Sequence, residues 1–345
     1  MRFVCPHSRH GCRRSPAIQP RVSNRANREL TDMQQRDWQG VFPAITTPFL
    51  DSLAVDHLRL VNHVNWLVEH GCRGIVALGS LGEAATLTGD EKIAILESCK
   101  RALGDRVPLI AGIAGLSTTE CVALARRAAK AGCDGLMVLP PYVYRGDWRE
   151  SKAHFEAVIS ATSLSCMLYN NPIAYGTDVS ASQMRELAEH ANLHAVKESS
   201  GDVRRVTAIR EELDDRLTIF AGMDDMILES IPMGASGWVA GLVNALPDES
   251  VRLFEAGRDG HHAEARALYE WFLPLLRLDT VPKFVQLIKL VQAEVGQGNA
   301  AVRPPRLELA GPELAQVRAL IRERLASPPA VVVPSAGQRD RAGVR

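Results

Sequence analysis

The chain contains the sequence Leu193-His194-Ala195-Val196-Lys197-Glu198-Ser199-Ser200-Gly201-Asp202, a short apolar run that ends on a lysine. Such a run is typical of a buried strand. Lysine is rare here, with seven lysines among 40 basic residues. An amine can lose its proton and attack a carbonyl group, which a guanidinium cannot do. Lys197 is therefore either a candidate nucleophile or a strand-end residue in solvent, and the surrounding sequence must decide.

Similar apolar segments recur along the chain and alternate with helical patterns. Strands are predicted at 40–46, 74–79, 107–113, 135–140, 165–170, 193–198, 217–222 and 237–241. Helices, with apolar residues at i, i+3 and i+4, are predicted at 55–69, 89–102, 118–131, 147–161, 181–190, 203–212 and 226–233. The strands are apolar along their whole length, as expected for parallel strands covered on both faces. The pattern predicts an α/β fold, a (β/α)8 TIM barrel.

An open, doubly wound α/β sheet is the alternative to the barrel. Such a sheet usually carries a glycine-rich dinucleotide-binding loop after its first strand. In this chain the first predicted strand instead continues into Thr46-Thr47-Pro48-Phe49. We therefore favour the barrel.

The predicted barrel covers residues 39–246 and is followed by a C-terminal helical extension at 247–326. Helices of the extension are predicted at 248–255, 263–278, 284–295 and 312–325. Residues 1–38 have seven arginines before the first acidic residue and are interpreted as a disordered or mis-assigned leader, with a transit segment as the alternative. The proline-rich residues 327–345 are predicted to be a disordered tail.

Composition limits the classes of function. The chain has 40 acidic and 40 basic residues, which argues against nucleic acid as a partner. The longest apolar runs, such as 74–78, are far shorter than the ~20 residues that span a bilayer, so no membrane partner is expected. Seven scattered cysteines are typical of reduced thiols, and we predict a cytoplasmic protein.

One stretch of the leader is a candidate metal site. It offers four potential ligands in a short stretch: Cys5, His7, His10 and Cys12. Zinc sites usually take ligand pairs from two separated segments, so we favour an unstructured leader without metal.

Polar residues cluster where the predicted strands end. In a barrel of this type the C-terminal strand ends carry the active site. Reading these ends gives Thr46-Thr47, Gly79-Ser80-Leu81-Gly82-Glu83, Pro140-Pro141-Tyr142, Tyr169-Asn170-Asn171-Pro172, Lys197-Glu198, Gly222 and Val239. We therefore predict that a lysine, tyrosines and hydroxyl residues lie together at the C-terminal end of the barrel.

These motifs resemble the dihydrodipicolinate synthase and N-acetylneuraminate lyase family of Schiff-base-forming barrels. The resemblance runs from about residue 40 to residue 326. It rests on Pro43-Ala44-Ile45-Thr46-Thr47-Pro48-Phe49, the loop 79–83, Tyr169-Asn170-Asn171-Pro172 with Gly176 and Asp178, the Lys197 motif, and Gly222-Met223-Asp224.

The resemblance implies roles for individual residues. Lys197 would form the Schiff base, Tyr169 would shuttle protons beside it, and Tyr142 would reach into the site of a neighbouring subunit. The implied substrate-binding residues are Thr46, Thr47, Gly79, Ser80, Leu81, Asn171, Tyr175, Gly222 and Val239. The implied partner is a small 2-oxo acid bound without metal or cofactor. The implied assembly is a homo-oligomer, a dimer or tetramer.

Two positions depart from the synthase pattern as we align it. Leu81 stands where a threonine would relay protons between two tyrosines, and leucine cannot relay a proton. Ala174, followed by Tyr175, stands where an arginine would pair with the carboxylate of the aldehyde substrate. We therefore interpret the chain as a catabolic member of the family.

The specific prediction is a 1-pyrroline-4-hydroxy-2-carboxylate deaminase. The alternatives are a 4-hydroxy-tetrahydrodipicolinate synthase, a 2-keto-3-deoxy sugar acid dehydratase or aldolase, and a non-catalytic small-molecule sensor of the same fold. A phosphate- or flavin-binding barrel is a further rival, suggested by the glycines of 234–241. No basic residue near that segment would meet a phosphate.

Overall fold

The structure, a computed structural model, describes residues 33–329, in which eight parallel strands form a (β/α)8 barrel. The strands are β1 (Gly40–Pro43), β2 (Ile75–Ala77), β3 (Leu109–Ile113), β4 (Gly135–Val138), β5 (Ser165–Asn170), β6 (Leu193–Glu198), β7 (Thr218–Ala221) and β8 (Gly237–Ala240). From β2 to β8 each strand pairs with the next, β1 pairs with β8, and an isolated parallel bridge between Ala44 and Val76 joins the β1 and β2 segments. The predicted fold class is confirmed.

Helices follow the strands in the order that the sequence predicts. They are α1 (His57–Glu69), α2 (Gly89–Leu103), α3 (Thr118–Lys130), α4 (Trp148–Ile159), α5 (Pro172–Tyr175), α6 (Ala181–Leu187), α7 (Arg204–Leu213), α8 (Ile227–Ser230), α9 (Pro247–Arg258), α10 (His262–Leu276), α11 (Phe284–Glu294) and α12 (Gly311–Ala326). Short 3-10 helices lie at Gln35–Asp37, Ala84–Thr86, Asp224–Met226, Leu242–Asn244 and Arg277–Asp279.

Helix α1 shows how the sequence pattern produces the barrel's outer layer. The Asp56 side chain accepts a hydrogen bond from the backbone N–H of Arg59 and so caps the first turn. Leu60, Val64 and Leu67 recur at helical spacing and are fully buried, since this face packs on the barrel. Capping and spacing together fix where the helix begins and which face it buries.

The structure differs from the predicted helices after β5 and after β7. The one-turn helix α5 was not predicted; Asn171 caps it, Pro172 begins it, and Gly176 ends it in the left-handed region at φ 75°. The predicted helix at 226–233 is only a 3-10 turn followed by the single turn of α8. Such short turns bury too few residues to show a helical period.

The folded barrel unit includes residues before its predicted boundary at 39. Trp38, which the sequence analysis placed in the leader, is 1% exposed, and its indole N–H donates to Ser165 Oγ at 2.7 Å. Its ring lies 6.0 Å from those of Phe42 and Phe220. Residues 1–32 and 330–345, including the four potential metal ligands of the leader, lie outside the described residues.

The C-terminal helices pack directly on the barrel. Helix α9 follows β8 and contacts β1, which is the place of an eighth barrel helix. Helix α10 packs against α9, and α12 contacts both α10 and α11. Over residues 33–329, none of the helices is long and apolar enough to cross a membrane. The cysteines in this part of the chain are buried and unpaired.

Replacing Trp38 tests whether the segment before β1 belongs to the folded unit. We expect Trp38→Ala to lower the free energy of unfolding by about 3–5 kcal/mol, because it removes a large core side chain and leaves Ser165 without its donor. Urea denaturation measures the change. The exposed Gln39→Ala is the control and should stay within about 0.5 kcal/mol of the parent. A Trp38 effect as small as the control's would contradict the proposed packing role.

Candidate active site

Lys197 lies near the C-terminal end of β6 and is 7% exposed. Its neighbours in register are Tyr169 on β5 and Phe220 on β7. The amine nitrogen is 4.4 Å from the centroid of the Tyr169 ring. Within residues 33–329 this amine makes no hydrogen bond or ion pair, so an arriving carbonyl group meets no competing acceptor there.

Gly222 leaves the space that the Lys197 side chain occupies. A Cβ atom at this position would lie 2.8 Å from Lys197 Cε and 2.0 Å from Ser199 Oγ. These distances are far below van der Waals contact, so any larger residue would displace the lysine. The predicted binding residue Gly222 is thus brought directly against Lys197.

Tyr169 is oriented by the turn that follows β5. The Asn171 side chain donates to the Tyr169 phenol oxygen at 2.9 Å, and its own carbonyl oxygen accepts from the backbone N–H of Ala174. The amide that caps α5 therefore also fixes the phenol beside the lysine. The residue before Asn171, Asn170, is fully buried, and its side chain donates to Glu198 and not to the lysine amine.

Three tyrosines form a continuous cluster next to Lys197. The Tyr175 ring lies 5.9 Å from Tyr142 and 5.8 Å from Tyr169, and its hydroxyl hydrogen-bonds to Ser80 Oγ. Burial raises the pKa of Tyr175, and the adjacent Tyr169 adds to the effect. Tyr175 therefore keeps its proton at neutral pH and can serve as a hydrogen-bond donor.

The loop after β2 has a strained backbone at both ends. Leu78 and Glu83 adopt positive φ angles of 62° and 55°, which non-glycine residues rarely do. At Gly112 on β3, a Cβ atom would lie 2.5 Å from the carbonyl oxygen of Leu78, so the glycine allows the strained turn to approach. This geometry aims Ser80 at the tyrosines.

The structure changes the interpretation of Leu81. Leu81 is 4% exposed and packs in the core, whereas the hydroxyl of the preceding Ser80 reaches Tyr175. A hydroxyl therefore does lie in the tyrosine cluster, and the leucine gives no reason to infer a missing proton relay. Ser80, and not Leu81 as the sequence suggested, is the residue that lies against the tyrosines.

Thr46 and Thr47 follow β1, and each holds a neighbouring segment. The Thr46 hydroxyl donates to Gln292 on α11 at 2.8 Å, and the Thr47 hydroxyl donates to the carbonyl oxygen of Gly82 at 2.7 Å. Both hydroxyls are buried and already paired. In this structure they hold the neighbouring segments in place.

Two further positions singled out in the sequence are Val239, which is buried, and Ala174, which is exposed. Val239 is a buried residue of β8, in register with Phe42 of β1. Ala174 is exposed on α5, so position 174 contributes no charge to the site. The next residue, Tyr175, turns inward instead.

A buried ion pair that sequence reasoning missed anchors the loop after β2. Lys289 of α11 donates to Glu83 Oε1 at 2.5 Å, and the two side chains are 2% and 0% exposed. Lys289 also donates to the carbonyl oxygen of Ala301, and the backbone N–H of Arg303 donates to Glu83 Oε2. Burial lowers the pKa of Lys289, and the Glu83 charge opposes this effect. The only sequence signal was a rare lysine within an apolar helix.

Two carboxyl groups lie close enough to Lys197 to feel its charge. Asp224 accepts hydrogen bonds from Trp238 and from the backbone N–H groups of Gly241 and Leu242. Burial raises the pKa of Asp224 to about 6, although these donors and the Lys197 charge oppose it. In the sequence, Asp224 stands out only as part of the motif Gly222-Met223-Asp224.

The second carboxyl group belongs to Asp279, which sequence analysis missed. It comes from the C-terminal extension and fills the space where a Cβ of Gly241 would be. Burial and the Asp224 charge raise its pKa, and its Oδ1 is enclosed without a hydrogen-bond partner among residues 33–329. The pair therefore holds a proton more readily than isolated carboxyls do.

The fold and this site define a class of protein, the lysine Schiff-base lyases built on a (β/α)8 barrel. Residues 37–324 match the model of the Dihydrodipicolinate synthetase family. The chain belongs to this family and is a lysine Schiff-base lyase. The family expected from the sequence motifs is confirmed.

Individual relatives agree with this assignment. A 4-hydroxy-tetrahydrodipicolinate synthase of Haloarcula marismortui is 32% identical over 283 residues, which cover 82% of this chain and 92% of the relative. The crystal structure of a dihydrodipicolinate synthase from Bacillus anthracis is 27% identical, with a TM-score of 0.79 over 82% of this chain and 97% of the other. That of a chloride-inhibited dihydrodipicolinate synthase from Acinetobacter baumannii, complexed with pyruvate, is 29% identical, with a TM-score of 0.78 over 84% and 98%.

A methyl group at position 222 should displace the lysine. We expect Gly222→Ala to slow borohydride-trappable adduct formation on Lys197 about 100-fold, since a shift near 1 Å in a reacting group can have that effect. Intact-protein mass spectrometry of the trapped enzyme measures it. Gly89→Ala is the control, because its Cβ would meet only the end of the Arg127 side chain. Equal trapping in both variants would contradict the spatial role of Gly222.

Removing the lysine of the buried ion pair should destabilise the protein. We expect Lys289→Met to lower the free energy of unfolding by about 3–5 kcal/mol, because Glu83 is left buried without its main partner. The double variant Glu83→Gln, Lys289→Met should recover much of the loss. Urea denaturation of the three proteins measures this, and a double variant less stable than the single one would argue against the ion-pair explanation.

Proposed function

We propose that the protein forms a Schiff base between Lys197 and pyruvate or a closely related small 2-oxo acid. The neutral amine adds to the keto carbon, and water leaves once its oxygen has been protonated. The iminium so formed withdraws electrons, so that a proton at the adjacent carbon can be lost to give an enamine. The buried, unpaired amine beside Tyr169 is the observation that carries this proposal.

The tyrosine cluster supplies the groups for proton transfer in this proposal. Tyr169 lies nearest the amine, and Tyr175 joins it to Tyr142 and to the hydroxyl of Ser80. A phenol held in this way can give its proton to the departing hydroxyl and take it back later. We propose that the loop after β2 binds the substrate carboxylate with its backbone N–H groups and Ser80.

For the second half of the reaction we propose condensation of the enamine with an aldehyde, the reaction of a 4-hydroxy-tetrahydrodipicolinate synthase. The Haloarcula relative carries this name, and the Acinetobacter synthase was crystallised with pyruvate. The hydroxyl of Ser80 in the tyrosine cluster supports the same assignment, because it removes the objection based on Leu81.

The deaminase predicted from the sequence remains a second candidate for one structural reason. Tyr175 occupies the mouth and is buried, while Ala174 is exposed and uncharged. A phenol in that place suits a hydroxyl-bearing substrate such as 1-pyrroline-4-hydroxy-2-carboxylate. We further propose a cytoplasmic homo-oligomer in which Tyr142, which packs against Tyr175 of its own chain, also lies close to a neighbouring subunit.

Trapping and turnover together test the proposal. We expect borohydride to fix pyruvate covalently to the peptide that contains Lys197, and Lys197→Ala to abolish the adduct. Absence of a pyruvate adduct in the parent enzyme would refute the proposed first step. Turnover then compares pyruvate plus aspartate semialdehyde with 1-pyrroline-4-hydroxy-2-carboxylate. We expect kcat/KM to be higher for the aldehyde; the reverse order would establish the deaminase instead.

A further inference from the structure

The guanidinium of Arg306 has a long ion pair but no hydrogen bond in the described part of the chain. Arg306 belongs to the segment that joins α11 to α12, and its side chain is 26% exposed. Within residues 33–329 it forms no side-chain hydrogen bond, and its nearest anionic atom is Glu83 Oε2 at 3.9 Å. A guanidinium presents several N–H donors that suit a carboxylate, and all of these are available.

The charge around Arg306 is not balanced. Glu83 carries one negative charge, and Lys289 already binds it directly at 2.5 Å. The backbone N–H of Arg303 occupies the second carboxylate oxygen. The Arg303 side chain adds no excess charge, since it is paired with Glu91 at 2.6 Å. Glu83, Lys289 and Arg306 therefore leave one positive charge uncompensated, and a partly enclosed charge of this kind favours an anion.

This excess charge lies beside the loop that reaches the tyrosines, since Arg306 approaches Glu83 at the end of that loop. Arg306 is close enough for its charge to oppose the burial that raises the pKa of Tyr175. Tyr175 in turn contacts Ser80, Tyr142 and Tyr169. Lys197 lies beyond Tyr169, where Asp224 and Asp279 feel its charge. In this arrangement Lys197 can react with the 2-oxo carbon of a substrate while the guanidinium beside the loop is free to meet a carboxylate at its far end.

We propose that Arg306 determines specificity by binding a second carboxylate, the one that is not attached to the carbon reacting with Lys197. The inference rests on the proposed function for the position of the 2-oxo group. The substrate class is a small acid whose distal end carries a carboxylate, delivered on the 2-oxo acid or on its reaction partner. A planar guanidinium can hold such a group through two parallel hydrogen bonds.

A matched pair of ligands tests this without turnover. 2-Oxoglutarate and 2-oxopentanoate have the same chain length and differ in a carboxylate or methyl group at the far end. We expect calorimetric titration of the parent enzyme to show about 10- to 100-fold tighter binding of 2-oxoglutarate, the range for a charged hydrogen-bonded pair. Arg306→Gln should abolish this preference while changing the affinity for 2-oxopentanoate less than about twofold. Arg306→Lys should retain part of it.

The controls separate this inference from the proposed function. Arg322→Gln removes a charge from the same end of the chain at a side chain that is 71% exposed, and it should keep the parent's preference. Borohydride trapping of pyruvate in Arg306→Gln should match the parent. A preference that persists in Arg306→Gln, or none in the parent, overturns the role of Arg306. Titrating both ligands into Lys197→Ala measures the preference for 2-oxoglutarate without a Schiff base. A failure of the lysine chemistry can then be distinguished from a failure of carboxylate binding by Arg306.

Discussion

The buried ion pair between Glu83 and Lys289 is the interaction on which the geometry of the site depends. Removing two charges from water is costly, and here direct contact, two backbone hydrogen bonds and the face of the Phe49 ring, 4.3 Å from the lysine amine, offset the loss. The pair joins the loop after β2 to α11 and to the segment carrying Arg303 and Arg306. It thereby holds Ser80 near the tyrosines. It also fixes the segment that carries the Arg306 guanidinium.

Most of what could be predicted from the sequence came from short apolar runs and local motifs. Each strand is a short run buried on both faces, so apolar composition alone located all eight, and the alternation with helices gave the barrel. Lys197 and Tyr169 were recognisable because each lies near the C-terminal end of its strand within a distinctive motif, and neighbouring parallel strands bring such ends together. Gly222 was found in the same way. In each case the decisive neighbours lie within a few residues along the chain or on the adjacent strand.

Contacts between distant parts of the chain could not be predicted in this way. Glu83 and Lys289 are 206 positions apart, and Asp279 reaches Gly241 from beyond the last strand. The direction of Ser80 depends on positive φ angles at Leu78 and Glu83, which no side-chain pattern announces. The misassignment of Leu81 follows from this, since a shift of one position exchanges a buried side chain for one in the site. Trp38 was missed because its partner Ser165 belongs to β5.

The ion pair also has a consequence for synthesis of the protein. Ribosomes make the chain from its N-terminus, and domains begin to fold as they emerge. All eight strands end by Ala240, yet the partner of Glu83 lies on α11 and the guanidinium of Arg306 follows later still. In a nascent chain whose eight strands have all left the ribosome, Glu83 in the loop after β2 is therefore still without its lysine partner. Completion of the last quarter of the chain sets the moment at which the new molecule acquires its working site.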